Sequence, residues 1–442
     1  MISRPSNETK ESFNVGIEEE ENDNSQGQIP KEAYYSLIGG WLSVFCGFGF
    51  INAFGVFQAY YETSYLPQTS VSSIAWIGSV QTFFLFASNL VTGPLVDRFG
   101  PTPISFFYAT SVAVTCMIVS LCTRYWQLLL AQGFMLGISL SAGYVPPLTC
   151  AMRWFKNRYP MAAAIVLTAS SIGGVVWPLI VRHLLESVGF GWTWRIIGFI
   201  DLVLLSLAVW LLSAPPLEER QSPVVATSTK DDHNGQQKRS LFYLELLKDK
   251  PYLFLVLANL CAYFGLSYIL FYLPTWGASV GFSDTLQAYS VSILNATSFV
   301  GRLVLPSVIQ KFGGLNTTLA SMFAAAVLNL AGIAAHSSAG VLMVGAFYGI
   351  AMGGVASLQP PTVASLVTDR TRLGAAAGQL ISACAIPSLL GPPVCGWIMA
   401  SGGLDRPNYK AANAYAGGCY TLGVIFALLA KLSKDRSLTA AV

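Results

Sequence analysis

The sequence predicts an all-α polytopic membrane protein whose twelve transmembrane helices form two six-helix pseudo-repeats. The first observation is composition. Of 442 residues, 53% are hydrophobic and only 11% are Asp, Glu, Lys or Arg, whereas an average soluble domain carries about 25% charged residues. The second observation is a series of long apolar runs, and the third is a set of motifs repeated between the two halves. The mean hydropathy of +0.55 fits a chain that lies in a lipid bilayer.

Twelve apolar stretches are long enough to cross a membrane, which takes about 20 residues in a helix. Transmembrane β-strands would be about ten residues long and would alternate in polarity, and these stretches do neither. Helices are therefore expected, because a helix satisfies its own backbone hydrogen bonds in lipid. The predicted spans are residues 37–61, 74–96, 104–123, 126–150, 160–182, 194–213, 251–275, 286–310, 315–335, 340–366, 373–400 and 412–432.

Polar segments divide the chain into parts. Residues 1–36 contain eight acids and three bases, a composition that predicts a disordered acidic tail. A second polar segment, 214–250, is predicted to link the two six-helix halves, 37–213 and 251–432, and residues 433–442 form a short tail. The chain outside the acidic tail carries 14 acids and 22 bases, a mild excess that gives no reason to expect nucleic-acid binding.

The distribution of Lys and Arg predicts the orientation in the membrane, because cytoplasmic loops are enriched in these residues. Nineteen bases fall on the side that holds both termini and the middle linker, and five fall on the other side. The remaining base, Arg302, lies inside the eighth span. We therefore expect a multi-pass protein of the plasma membrane with the N- and C-termini in the cytoplasm.

The two halves of the chain share motifs at a nearly constant spacing. The paired positions, at offsets of 213, 214 and 214, are 97 and 310, 146 and 360, and 178 and 392. Six helices per half give both halves the same orientation, related by an axis along the membrane normal. Transporters built this way hold their substrate near the midplane, between halves that rock against each other.

Glycine and proline clusters predict where individual helices break. Gly143–Pro147 is expected to interrupt the fourth helix, Gly353–Gly354 and Gln359–Pro361 the tenth, and Pro387 and Gly391–Pro393 the eleventh. A break buried in the protein would free backbone carbonyls and permit motion. The alternative is that Gly and Pro are simply common in membrane helices.

Arg302 is the first candidate for a functional charge. It lies eight or nine residues from the predicted cytoplasmic end of its helix, roughly 12 Å at 1.5 Å per residue, which is deep for a charged group in lipid. A guanidinium facing a cavity would suit an anionic substrate, because it can bind a carboxylate through two parallel hydrogen bonds. The alternative is a structural pairing with backbone carbonyls or with an acid on another helix.

Asp201, in the sixth helix, is the second buried charge that the sequence predicts. It could titrate and couple transport to protons, or it could pair with Arg195 or Arg182 near the same surface. The structural pairing is the preferred interpretation.

Neutral polar residues on the predicted inner faces complete the expected substrate site. Those placed there together with Arg302 are Asn52, Gln81, Tyr144, Asn295 and Gln359.

Asp97 and Arg98 are expected in the loop after the second predicted span, beside Gly100. An acid and a base at that place are interpreted as a gate or latch that contacts neighbouring helices. The alternative is an ordinary short turn.

Enzyme chemistry has little support in the sequence. There is no Walker A motif, no His/Cys metal cluster and no nucleophile elbow. The eight cysteines lie in or beside apolar helices and are interpreted as packing residues. No enzyme activity, metal or cofactor is predicted.

Taken in order along the chain, several motifs resemble those of the major facilitator superfamily and, within it, the fungal branch of the monocarboxylate transporter family. They are Gly39-Gly40-Trp41, Phe54–Glu62, Trp76–Gln81, Gly93–Gly100, Asn295–Arg302 and Gly391–Pro393. The resemblance implies transport of monocarboxylates or related organic solutes, often with a proton, and it implies that Arg302 binds the carboxylate. Fungal members also include presumed exporters of metabolites made by gene clusters.

The chain departs from that family at its proton-relay positions. Ile38 replaces the acid that often precedes Gly-Gly-Trp, Ser298 replaces the acid one turn before the eighth-helix Arg, and the first predicted span contains no charge. The leading hypothesis is a secondary carrier for a small organic anion or a carboxylate-bearing metabolite, with proton linkage left open. Efflux of a secondary metabolite is the alternative, and a transporter-like nutrient sensor is the alternative of another class.

Overall fold

The computed structural model describes residues 29–155, 158–212, 244–367, 372–402 and 407–434. Every regular element in these ranges is a helix. Most of the predicted acidic tail, most of the predicted linker and the last eight residues lie outside the described ranges. The first helix begins at Lys31, inside the segment predicted as tail, with Pro30 before it and Glu32 in its first turn, where an acid is favourable.

The described part of the molecule contains twelve membrane spans. Eleven helices are long and apolar enough to do so, and the longest, Tyr159–Leu211, is two spans that meet at Gly189. The φ of Gly189 is 74°, a left-handed conformation that other residues avoid. The spans are α1 (Lys31–Tyr65), α2 (Ser73–Phe99), α3 (Pro101–Val119), α4 (Tyr125–Trp154), α5 (159–188), α6 (190–211), α7 (Lys250–Ser279), α8 (Asp284–Phe312), α9 (Gly314–Gly332), α10 (Ser338–Leu366), α11 (Leu373–Ala400) and α12 (Tyr409–Lys434).

Prolines interrupt α4 and α11 one turn before their own positions. A turn at 142–144 precedes Pro146-Pro147 in α4, and a turn at 383–384 precedes Pro387 in α11. The displacement follows from chemistry, because a proline cannot donate to the carbonyl four residues earlier and its ring clashes with that carbonyl. The break in α4 was predicted, whereas the helix Ala385–Ala400 runs unbroken through the second predicted site at Gly391–Pro393.

The predicted breaks in α10 are wrong. Ser338–Leu366 is one helix through both Gly353-Gly354 and Pro360-Pro361. The glycines serve packing instead: a methyl group at Gly353 would overlap the carbonyl oxygen of Ser298 on α8, and one at Gly301 would overlap the carbonyl oxygen of Ile350 on α10. Small residues of this kind let two membrane helices approach along their backbones.

Two hydrophobic cores correspond to the two six-helix halves. One core is formed mainly by residues of α1–α6, joined by Ile381, Cys384 and Ala385 of α11, and the other by residues of α7–α12. The halves meet along two seams, where α5 packs against α8 and α2 packs against α11. Residues of the α5–α8 seam therefore belong to both halves at once, which is where a substrate site of this architecture is expected.

Candidate substrate site between the two halves

Arg302 crosses the α5–α8 seam. Its side chain is 7% exposed, and its Nη1 donates to the carbonyl oxygen of Leu167, at 2.6 Å, and to the hydroxyl of Ser170. Both acceptors lie on α5, in the other half of the molecule. The guanidinium is thus a polar bridge between the halves inside the membrane-spanning region.

The positive charge of Arg302 has no counter-charge in the described part of the chain. No Asp or Glu carboxylate there forms a salt bridge with it, and its Nε is buried without a hydrogen-bond partner. Burying a charge without a partner costs free energy. For the same reason, removing one member of a buried ion pair strongly destabilises a protein. An anion bound at this place would supply both the missing charge and an acceptor for the free N–H.

Two tyrosines lie close enough to Arg302 to interact with its charge. They are Tyr144 at the break in α4 and Tyr263 on α7. The Tyr144 ring lies 5.1 Å from that of Phe48 on α1, and the Tyr263 ring meets Phe86 of α2 edge-on at 5.7 Å. One tyrosine from each half therefore lies near the guanidinium, and each packs against a phenylalanine, an arrangement suited to an anion that carries an apolar body.

An amide network extends the site into the second half. Gln359 on α10 donates to Asn259 on α7 at 2.8 Å, and Asn259 donates to the carbonyl of Leu380, at 3.2 Å, just before the break in α11. The Gln359 amide also lies beside the Tyr263 hydroxyl. Gln359 is thereby connected to the surroundings of Arg302 through one intermediate side chain.

Asn295 lies about two turns before Arg302 on α8. It donates to its own helix, to the carbonyl of Val291 at 3.1 Å, and it fills the space beside Gly174 of α5. It also borders an apolar cavity of about 390 Å³ at the seam. That cavity is lined by Ser171, Ile172, Val175, Val176, Asn295, Ala296 and Phe299.

Two other predicted site residues, Asn52 and Gln81, form no hydrogen bond with Arg302. Asn52 donates to the carbonyls of Phe48 and Gly49 in its own helix, at 2.9 and 3.3 Å. Gln81 is buried in α2, and its Oε1 has no partner. The structure therefore brings Arg302, Tyr144 and Gln359 near one another and does not bring Asn52 or Gln81 to them. Substrate contact stays a prediction for all six residues.

Leu167 and Ser170, the partners of Arg302, were not singled out from the sequence as site residues. A backbone carbonyl such as that of Leu167 has no residue-specific pattern that could have revealed it. Ser170 did carry an indication, because it belongs to a run of small residues, Ala169 to Gly174, that lets α5 approach its neighbours.

Asp97 connects the halves at the end of the bundle where the described termini lie. Its carboxylate accepts hydrogen bonds from the backbone N–H groups of Gly374, at 3.0 Å, and Ala375, at 2.7 Å, in the first turn of α11. A carboxylate stabilises a helix start because it accepts from unpaired N–H groups and complements the helix dipole. Arg98 is exposed and lies over the ring of Phe99, with Cζ 5.2 Å from its centroid.

The preferred interpretation of Asp201 is wrong. Arg182 pairs with Glu186, with Nε and Oε1 3.1 Å apart, and Arg195 donates to the hydroxyl of Ser120. Asp201 is instead fully buried, at 0% exposure, and neither carboxyl oxygen has a hydrogen bond of normal geometry.

Within the described residues, no group of three or more His, Cys, Asp or Glu is placed to hold a metal ion.

Comparison with known proteins decides the family. Residues 37–392 match the family model described as the Major Facilitator Superfamily, which is well over half of the chain. The chain belongs to the Major Facilitator Superfamily. The predicted fold and the prediction of a multi-pass membrane transporter are confirmed, whereas membership of the monocarboxylate family within it stays a prediction.

Curated relatives from fungi extend over nearly all of the chain. The chain is 34% identical over 394 residues to the aspyridones efflux protein apdF of Emericella nidulans, covering 88% of the chain and 77% of that protein. It is 32% identical over 406 residues to the agnestins efflux protein AgnL12 of Paecilomyces divaricatus, covering 92% of the chain and 88% of that protein. Both names are those of metabolite exporters.

Solved structures support the same fold. The transporter FucP in its outward conformation aligns with a TM-score of 0.67 at 14% identity, covering 90% of this chain and 98% of that one. The human organic anion transporter MFSD10 aligns with a TM-score of 0.66 at 16% identity, with the same coverage of both chains. At these identities the similarity concerns the arrangement of the helices.

Proposed function

We propose that this Major Facilitator Superfamily transporter moves a carboxylate-bearing organic metabolite across the membrane by alternating access. The observation that carries the proposal is the buried Arg302, which has a free Nε and no described acid beside it. Its position between α5 and α8 allows a bound anion to contact both halves, so that binding can bias their relative movement. The resemblance to the monocarboxylate family supports the same substrate charge.

Export is the favoured direction. The relatives over most of the chain carry the names of efflux proteins for aspyridones and agnestins. The surroundings of Arg302 fit an acid with an apolar body, since Tyr144 and Tyr263 lie near the cation and Phe48 packs against Tyr144. The substrate class is therefore an acid with a substantial apolar body, larger than lactate.

We infer that Asp97 serves as a latch in this cycle. When the halves are closed at this end, its carboxylate receives the two N–H groups at the start of α11. Opening that end would separate α2 from α11 and expose both partners to water. The excess of bases on this side supports a cytoplasmic location, so the latch would close the cytoplasmic entrance.

Flux in proteoliposomes tests the proposed substrate class. Purified protein is reconstituted, and counterflow is measured for lactate and benzoate, with the passive flux of protein-free vesicles subtracted. We expect the flux of benzoate to exceed that of lactate. In an Arg302→Gln variant the benzoate flux should fall at least about tenfold, as expected when a charge-assisted contact of about 1.4 kcal/mol or more is removed. Arg182→Gln removes a surface arginine and serves as the matched control. Undiminished anion flux in a folded Arg302→Gln protein would refute the proposal.

A further inference from the structure

Asp201 is a buried acid with no cation beside it in the described part of the chain. It lies in α6 at 0% exposure, and neither carboxyl oxygen has a hydrogen bond of normal geometry; the thiol of Cys46, a weak donor, is the donor beside it. The groups that interact with it are the thiol of Cys46 on α1 and, on α3, the hydroxyl of Tyr108 and the thiol of Cys116. All four side chains lie within the first six-helix half.

No charged side chain replaces the missing partner. The sequence of α3 contains no Asp, Glu, Lys or Arg at all. The charged residues of α1, namely Lys31, Glu32 and Glu62, lie in its terminal turns. The nearest base along α6, Arg195, is bonded to Ser120. The ionised carboxylate is unfavourable in such a place. The group is stable there as the neutral acid, or as the carboxylate once its surroundings change.

The neighbouring part of α1 is irregular, and its carbonyls accept hydrogen bonds from α3 and α5. Phe45–Gly49 is a π-helical segment, and a 3₁₀ turn follows it. π-Helical segments inside α-helices are frequent at functional sites. Tyr108 of α3 donates to the carbonyl of Ser43 at 3.0 Å, and Trp177 of α5 donates to that of Phe45 at 3.0 Å. These hydrogen bonds attach α1 to α3 just before the segment and to α5 at its first residue.

This segment connects Asp201 to the substrate site. Cys46 lies beside the carboxyl group, whereas Phe48, two residues later, packs against Tyr144. Tyr144 in turn interacts with Arg302. A change in the space around Asp201 that moves the α1 segment would therefore also move the aromatic wall beside the guanidinium.

We propose that Asp201 is the proton-binding site of the transporter and that its protonation is coupled to the movement of α1. In the conformation described here the group is the neutral acid. When α1 moves away from α6 and admits water, the O–H bond breaks, the proton passes to water and the carboxylate remains hydrated; the reverse step restores the closed arrangement. The role differs from that of Arg302, because it requires no particular substrate.

Infrared difference spectroscopy on the purified wild-type protein tests proton binding without any substrate. We expect a carbonyl stretch of a protonated acid at low pH that is lost as the pH rises, shifts on ¹³C-labelling of aspartate, and is absent from Asp201→Asn. Glu186→Gln, a surface acid on the adjoining helix, should retain it. The nine other aspartates of the chain also titrate, but a water-exposed aspartate, with a pKa of about 3.9, is ionised at neutral pH, so the band assigned to Asp201 is the one that remains there. If the wild-type protein has no such band, or if the band persists in Asp201→Asn, the assignment is overturned. Its absence from the wild type is decisive even if the variant folds poorly.

Flux measurements test coupling. Benzoate is the probe, and uptake into protein-free vesicles is subtracted because neutral benzoic acid crosses lipid unaided. Asp201→Asn should retain benzoate–benzoate exchange but lose the protein-dependent accumulation driven by a pH gradient, because asparagine mimics the neutral acid and cannot release a proton. Accumulation equal to that of Glu186→Gln would overturn the coupling. If benzoate flux is absent from every variant, the proposed substrate class fails, while the infrared titration still decides the proton site.

Discussion

At the scale of single residues, the chain keeps its buried base and its buried acid apart. Arg302 lies at the seam between the halves and bonds only to neutral acceptors, Leu167 and Ser170. Asp201 lies inside the first half, away from any described cation. The cation is therefore available to an anionic substrate without first breaking an internal ion pair, which would otherwise reduce the net gain on binding.

Replacing Arg302 by lysine tests whether charge alone is sufficient. Lysine retains the positive charge but cannot form two parallel hydrogen bonds to a carboxylate. We expect the KM for an anion to rise about tenfold, corresponding to about 1.4 kcal/mol, while residual transport exceeds that of Arg302→Gln. The concentration dependence of benzoate counterflow measures both. Equal KM values for the lysine variant and the wild type would show that two-pronged binding is not used.

Asp97 allows a second prediction at this scale. Asp97→Ala removes the acceptor for the first-turn N–H groups of α11 and should cost about 1 kcal/mol of the closed arrangement, or about a fivefold change in population. Spin labels on the ends of α2 and α11 would report a longer distance. Asp97→Asn retains an acceptor and should have a smaller effect, and Arg98→Ala should have none. An unchanged distance distribution in Asp97→Ala would exclude a latch.

A residue can be predicted from the sequence when its own chemistry stands out. It cannot be predicted when its role depends on which distant helix it faces. Arg302 was predictable because one charge in an apolar span is conspicuous whatever its partners are. The pairing of Asp201 was wrong because sequence spacing shows which helix end an arginine is near and not the direction in which its side chain points. Arg182 had a partner one turn away in Glu186, and Asp201 faces α1 and α3.

At the scale of elements, close packing prevails over local helix-breaking tendency in α10. The glycines of α8 and α10 face each other's backbones, so the helices hold each other straight where Gly and Pro predicted a break. In α4 and α11 the prolines do break the helix, one turn early. Sequence alone locates the proline, whereas the neighbouring helix decides whether the freed carbonyl finds support.

A glycine substitution tests the packing of α8 against α10. A methyl group at Gly301 would overlap the Ile350 carbonyl, so Gly301→Ala should destabilise the protein by about 1–3 kcal/mol, as overpacked positions do. Thermal unfolding in detergent, followed by size-exclusion chromatography, measures the change. Gly418→Ala is the control, since no atom lies within 4 Å of a methyl group there, and it should be neutral or stabilising. Equal melting temperatures for both variants would contradict this account of α10.

At the scale of the whole molecule, the fold was the most predictable property. Span length, hydropathy and the 213–214-residue offset each depend on many residues, so errors at one helix end do not change the number of helices. The ends themselves differ, as at Lys31, because the hydropathy does not show how far a helix extends into the polar layer. The identity of the substrate depends on a few side chains and leaves no comparable pattern.

Orientation gives a prediction for the entire chain. A tag at the C-terminus should be labelled in cells only after permeabilisation, whereas a tag in the loop after α11, beyond Gly402, should be labelled in intact cells. The reason is the excess of Lys and Arg on the side of the termini, 19 against five. The opposite labelling pattern would contradict both the cytoplasmic termini and the cytoplasmic position of the Asp97 latch.

The most direct test of the central claim compares an acid with its amide at the site of Arg302. Binding of benzoate and of neutral benzamide to the purified protein is measured by isothermal titration calorimetry, for the wild type and for Arg302→Gln. We expect the wild type to bind benzoate at least about tenfold more tightly than benzamide, as charge recognition requires, and Arg302→Gln to lose this discrimination. Equal affinities for the acid and the amide in the wild type, or discrimination that survives in Arg302→Gln, would contradict it.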